Sequence, residues 1–223
     1  PLVRLADGKR LVISMAADVT RQKQTEATLA ARLQQQAVVT KLSQTALSGW
    51  DLQTLFDQAT QLMVDSLSID YAKVLELQPN GRSLRLRAGT GWHPGVIGTT
   101  VSNDTGSQAG YTLQSHQPVI VEDLNTETRF HGPSLLIDHQ VVSGMSTLIP
   151  GCDNRPFGVL GAHSTQRREF TQDDINFLQA VANLLATAIE RKQTENALSN
   201  LNQTLEDRVR DRTQALAEVN EEL

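Results

Sequence analysis

The chain has 223 residues, 39% of them hydrophobic and 4% aromatic, with a formal net charge of −5 at pH 7. That balance argues against a nucleic-acid partner, since no basic stripe is present to displace counterions from phosphate, and the few aromatics argue against a surface that stacks bases or sugars. A single cysteine, Cys152, excludes an internal disulfide and a cysteine-based zinc site.

No run approaches the roughly 18 consecutive apolar residues of a membrane span. The sequence begins at Pro1 without a signal peptide, so the expectation is a cytoplasmic fragment of a longer protein. Its composition suits one core with long solvated helices attached.

In chain order, residues 2–6 and 10–19 read as two strands around Asp7-Gly8-Lys9, the second carrying the β-branched run "LVISMAADV". From Thr20 to Leu47 the residues become good helix formers. Leu29, Leu33, Val38, Val39, Leu42 and Ala46 give that helix one apolar stripe, and Ser48-Gly49 stops it. Asp51 is placed to cap a second helix that buries Leu52, Leu55, Phe56, Ala59, Leu62 and Met63.

The period then changes. "YAKVLEL" (71–77) and "SLRLRA" (83–88) alternate apolar with polar around Gln78-Pro79-Asn80-Gly81, the pattern of a hairpin. A loop over 89–106, a short helix over 107–115 and a strand over 118–124 follow. The segment 125–142 reads as irregular, with one helical turn near 133–138. A last strand pair, 143–150 and 157–164, flanks a turn over 151–156.

Thr171 and Asp174 have the spacing of a capping box, with Phe170 and Ile175 placed as its hydrophobic staple. Neither Pro nor Gly interrupts the chain from there to Leu223. Ile175, Leu178, Val181, Leu185 and Ile189 form a stripe for packing on a sheet. Beyond Glu190 it narrows to two interleaved heptad sets: Leu198, Leu205, Arg212 and Val219, and Asn202, Val209, Leu216 and Leu223. These are the a and d positions of a coiled coil, weakened by Asn202 and Arg212 and paired across a dimer with Leu29 and Leu33 as seam candidates near the other end.

The phrase Lys-Gln-Thr-Glu-x-x-Leu occurs at 23–29 and again at 192–198. The residues after each copy diverge, so a domain duplication is not implied. Each copy marks where a folded unit gives way to a connecting helix.

The stretches "GSQAGYTLQSHQPVIVEDLNTETRF" (106–130), "VVSGMSTLIP" (141–150), "RPFGVLGAHS" (155–164) and "FTQDDINFLQAVANLLATAIE" (170–190), in that order, resemble a GAF domain over residues 38–192. Residues 4–24 resemble the last hairpin of a PAS domain, with Asp18-Val19-Thr20 at its exit, and 201–223 resemble a connector toward a kinase. The resemblance implies an α+β fold: a central antiparallel β-sheet with helices packed on one face, flanked by long N- and C-terminal helices. The implied order is a truncated PAS hairpin over 1–20, a connecting helix over 21–48, the GAF sensor over 38–192 and a signalling helix over 190–223. The resemblance implies a piece of a bacterial, cyanobacterial-type sensor histidine kinase or similar multidomain receptor. Its expected partners are a second copy of itself, adjacent PAS and kinase domains, and a small molecule that is not identified.

The resemblance also implies a ligand pocket on one face of the sheet, under the loops 89–106 and 124–142. Its candidate lining residues are Trp92, His93, Tyr111, Asp123, Phe130, His139, Ser143 and Met145, each with an ordinary alternative as core or solvated loop. The pocket region "FHGPSLLIDHQ" (130–140) carries no cysteine and Cys152 lies in a turn, which argues against a covalent bilin. Noncovalent bilin or haem stays open, and a ligand-free spacer is the alternative to a sensor. The cyclic-nucleotide pattern is only partly met, by Phe170 and Asp174, with Ile175 where an acid belongs.

His93, His116, His131, His139 and His163 lack metal-ligand spacing. There is no phosphate loop or serine elbow. A lone cysteine cannot run a disulfide-dependent reductase, and no histidine follows His163 to accept a phosphoryl group. A non-catalytic regulatory module is expected.

Overall fold

The computed structural model describes residues 8–47, 51–104, 106–152 and 155–221. It contains α1 (Gly8–Leu47), α2 (Leu52–Leu67), β1 (Tyr71–Leu77), β2 (Ser83–Thr90), β3 (Thr100–Ser102), α3 (Gln108–Ser115), β4 (Val119–Val121), α4 (Ser134–Asp138), β5 (Ser143–Ile149), β6 (Gly158–Ser164) and α5 (Gln172–Glu221). The strands form one sheet in the order β3-β2-β1-β6-β5-β4, with every neighbouring pair antiparallel. The α+β architecture expected from the sequence is the one observed.

Helices α1, α2 and α5 cover one face. Strand residues Ala72, Val74, Met145, Ile149, Leu160 and Ala162 pack there against Leu42, Phe56, Met63, Leu178, Val181 and Leu185 in one continuous core. The opposite face is also covered, by α3, α4 and the loops around them. Leu75, Leu84, Leu86 and Val159 meet Ala109 of α3 on that side. A one-residue bulge at Arg87, opposite the step from Val74 to Leu75, lets β2 present Leu86 to one face and Ala88 to the other.

The helix ends follow the expected chemistry. Asp51 accepts from the Gln53 backbone N–H at 3.2 Å and caps α2. At the start of α5, the Thr171 N–H donates to Asp174 Oδ2 at 2.9 Å while the Asp174 N–H donates to Thr171 Oγ1 at 3.2 Å. That is a reciprocal capping box. Asp174 also accepts from Gln35 Nε2 of α1 at 3.2 Å, and Arg32 pairs with Asp173 at 2.7 Å. The box therefore ties α1 to α5 as well as starting α5.

Two expectations are corrected. Residues 10–19 are helical, the opening turns of α1, where a strand of a PAS hairpin was expected; residues 2–6 lie outside the described residues. An isolated two-stranded hairpin is marginal without a further strand or a packed face, and no Pro or Gly after Gly8 interrupts a helix up to Leu47. The segment expected as loop over 89–106 contains β3, whose Thr100 and Val101 pair with Arg85 and Leu84. Three residues are too few for a period-2 signal to register.

Of the seam candidates, Leu29, Leu33, Leu198, Leu205 and Val209 are exposed on α1 and α5, as are Asn202 and Arg212. Leu216 and Val219 lie on α5, and Leu223 lies outside the described residues. No helix among the described residues is long and apolar enough to cross a membrane.

Candidate functional site

On the face of the sheet away from α2 and α5, cross-strand pairing sets two rows side by side. Gly89, Lys73, Gly161 and Ser146 are opposite one another across β2, β1, β6 and β5. The next row holds Tyr71, His163, Gly144 and Val121. Three glycines thus surround two polar side chains. A Cβ at Gly161 would stand 2.9 Å from His163 Nε2 and 3.3 Å from Lys73 Cε, and one at Gly144 would collide with the same imidazole. The absent side chains are the space into which lysine and histidine fold.

Trp92 forms the roof. Its indole stacks on Tyr71 with centroids 4.7 Å apart, stands edge-on to His139 and His163, and donates from Nε1 to the Ala72 carbonyl at 2.7 Å. The "GTGW" stretch at 89–92 is what places it. Gly91 adopts φ +88°, and a Cβ there would meet the Asp70 carbonyl, so the chain can turn back over β1 only with glycine. A Cβ at Gly89 would stand 2.6 Å from the indole.

The loop after α4 braces the roof. His139 Nε2 accepts from the His93 backbone N–H at 3.0 Å, and its Nδ1 lies 2.8 Å from the Leu135 carbonyl. Those two partners fix the Nδ1–H tautomer.

Two groups in this site are unusual electrostatically. Lys73 is only 5% exposed, and its ammonium makes no hydrogen bond or ion pair with a described residue; it lies 5.2 Å from the centre of the Trp92 ring. Burial pushes it down from 10.5 to about 7. His163 is 1% exposed, with both ring nitrogens buried and unpartnered. Burial first, and the neighbouring Lys73 charge second, hold it well below the ordinary imidazole range. Gln108 Nε2 is a third buried donor without a partner. It lies one turn before Thr112 on α3, whose hydroxyl is 2.7 Å from Ser146 Oγ in the Lys73 row.

The expected lining residues divide into four groups. Trp92, His93 and His139 come together over the site. Tyr111 and Phe130 form a neighbouring cluster with Val119 and Val121, covered by Arg129, whose guanidinium lies 5.6 Å from each ring centre. Hydrogen bonds from the Arg129 side chain hold Glu127 down to about 2 there. Asp123 accepts from the Asn125 backbone and side chain and builds a turn. Ser143 and Met145 are corrections. Ser143 donates to the Gln166 carbonyl at 2.6 Å, and Met145 is part of the helix-side core. Successive strand residues face opposite ways, so Gly144 and Ser146 are the β5 residues over the site.

A GAF domain profile matches residues 51–189. The chain belongs to the GAF domain family. No curated protein sequence matches it. Among solved structures, the GAF domain of a phosphoenolpyruvate-protein phosphotransferase from Acinetobacter is 18% identical with a TM-score of 0.62, over 74% of this chain and 97% of that one. The phycocyanobilin-bound GAF domain of a cyanobacterial phytochrome is 20% identical with a TM-score of 0.61, over 72% and 96%. The free methionine-R-sulfoxide reductase from Neisseria meningitidis, in complex with its substrate, is 15% identical with a TM-score of 0.59, over 69% and 87%. At such identities the likeness is one of fold.

In this GAF domain several surface grooves lie away from the Trp92 roof. One of about 360 Å³ runs between α1 and α5 along Val39, Ser43, Ala46, Leu184 and Thr187. Another of about 270 Å³ lies beside Gly151 and Cys152. Tyr71, Lys73, Gln108 and His163 were missed as site residues by sequence reasoning. A signal existed: in "GVLGAHS" the histidine shares strand parity with Gly161, and in "YAKVLEL" the lysine shares it with Leu75.

Proposed function

We propose that this GAF domain is the ligand-responsive regulatory module of a multidomain signal-transduction protein of the sensor histidine kinase kind. It is non-catalytic in itself and cytoplasmic, with PAS and kinase modules as neighbours. A small molecule enters beneath Trp92, displaces that side chain, and rests on Lys73 and His163. The observation that carries this reading is His163, whose two buried ring nitrogens have no hydrogen-bond partner, beside Lys73, whose ammonium makes no hydrogen bond or ion pair with a described residue and has the Trp92 ring 5.2 Å away. Unpaired buried polar groups are costly, and a ligand that supplies their partners removes that cost. The phytochrome and reductase neighbours support it in kind, since each holds a small molecule on the same fold.

Relay runs through α1 and α5. They are joined by the Arg32–Asp173 and Gln35–Asp174 contacts, and their exposed Leu29, Leu33, Leu198, Leu205 and Val209 suit pairing with a second copy of the chain. Ligand shifts the helices only if it binds one of their arrangements better than the other.

A second reading is a ligand-free dimerisation spacer. It is favoured by Trp92 itself, which already stacks on Tyr71 and fills the space beneath the loop. Native mass spectrometry of protein purified from its own host separates the two. A retained small-molecule mass on a dimer supports the sensor; a dimer without added mass, repeated across growth conditions, overturns it in favour of the spacer.

A further inference from the structure

We infer that the ligand of this site is a small anion, held through a carboxylate or phosphate-type oxyanion by Lys73, His163 and Gln108. This rests on the sensor reading above and adds the chemical class of the ligand.

The inventory of unpaired groups points one way. Lys73 Nζ is a donor without an ion-pair partner, Gln108 Nε2 is a buried donor, and His163 offers two ring nitrogens, at least one of which carries a proton. No carboxylate pairs with Lys73 among the described residues. Around it are Gly89 on β2, Tyr71 on its own strand, Gly161 and His163 on β6, Ser146 on β5 and the Trp92 ring; Thr112 of α3 bonds Ser146, Gln108 lies one turn before Thr112, and His139 and His93 lie beyond Trp92. None is acidic in the carboxylate range. A neutral ligand would leave the ammonium uncompensated, and a cation would add repulsion. An oxyanion accepts from all three side chains and supplies the missing charge.

Glycines at 89, 144 and 161 make room for the Trp92, His163 and Lys73 side chains, which fill it in the free protein, so the anion takes the place that the displaced indole vacates. Ser146 and Thr112 do not serve instead, since the Thr112 hydroxyl donates to the Gln108 carbonyl at 2.8 Å and the Ser146 hydroxyl then donates to Thr112 Oγ1.

Anion binding is then coupled to proton uptake. Free Lys73 is half-protonated near pH 7 because burial disfavours its charge. The bound anion favours the charged form, so the amine takes a proton from solvent as the anion enters. Linkage gives the sign: affinity is flat below about pH 7 and falls roughly tenfold per pH unit above it.

The test uses the whole chain labelled with 15N-histidine and 13Cε-lysine. It is titrated with sodium acetate and with sodium sulfate, both fully ionised from pH 6 to 9, against sodium chloride at equal ionic strength. The expected result is saturable movement of the His163 and Lys73 signals with acetate or sulfate and none with chloride, with the stated pH dependence. A response to acetate alone identifies a carboxylate ligand, and one to sulfate alone a phosphate-type ligand. Lys73→Met abolishes the His163 response, and Gln108→Leu weakens it roughly tenfold. Lys73→Met relieves a buried charge, so it folds and remains a fair control.

No saturable shift with either anion, or an unchanged response in Lys73→Met, overturns the assignment. A neutral or cationic molecule retained in native mass spectrometry, with both titrations silent, overturns the anion and keeps the sensor. A saturable, Lys73-dependent response without change in cysteine crosslinking along α1 and α5 supports the anion site and overturns the relay.

Discussion

The two faces of the sheet are built from the same six strands and obey different rules. The face toward α1, α2 and α5 is apolar: Ala72, Val74, Met145, Leu160 and Ala162 meet Phe56, Met63 and Leu178 with almost no solvent contact. The face toward α3 and the loops alternates leucines with Lys73, His163, Ser146 and three glycines. One face is packed mainly with apolar side chains; the other packs leucines and Trp92 around buried polar groups that lack hydrogen-bond partners. Alternation lets both properties be written into one strand, since a residue's neighbours in sequence belong to the other face.

The comparison breaks first on the helix side. Phe56→Ala removes a fully buried ring from the helix-side core and is expected to cost about 4 kcal/mol in chemical denaturation. Lys73→Met should do the reverse and stabilise the domain by on the order of 4 kcal/mol at pH 7. The sign follows from the depressed amine: between about pH 7 and 10.5 the unfolded chain binds more protons than the folded one. Wild-type stability therefore rises with pH across that window, and the advantage of Lys73→Met disappears toward its upper end. Thermal melts of both proteins at several pH values check it.

Much of the helix-side fold is legible in the sequence. Asp51, the Thr171–Asp174 box and the apolar stripe of α2 each carry a local signal that the structure keeps. What fails is parity. In "SGMSTLIP" both faces of β5 are buried, so the pattern does not say whether Met145 or its neighbours Gly144 and Ser146 point at the loops. Lys73 is hidden for the same reason, with apolar residues at both parities of β1. A lysine in such a strand reads as solvated until the roof above it is known. The roof depends on Gly91 turning the chain back toward β1, a long-range consequence that no window of periodicity contains. The hairpin expected over 10–19 shows the opposite limit: β-branched residues favour a strand, but only pairing and packing sustain one.

Smaller effects sharpen the difference between the folded unit and its helices. Asp174→Ala removes one half of the capping box and the Gln35 contact together, with an expected loss of about 1–2 kcal/mol in denaturation midpoint. It should also loosen α1 from α5, visible as faster amide exchange in both. Leu205→Asp, at an exposed position, should change the stability of the folded unit by less than about 0.5 kcal/mol. Its effect is expected in sedimentation instead, as a shift from dimer toward monomer.

The most direct measurement is the titration of Lys73 in the free protein, followed by 13C NMR of lysine labelled at Cε, with Lys73→Met assigning the signal. A buried, unpartnered ammonium predicts a midpoint near 7. A midpoint near 10.5, the value of a solvated lysine, would contradict the account of this face as a closed site awaiting its ligand.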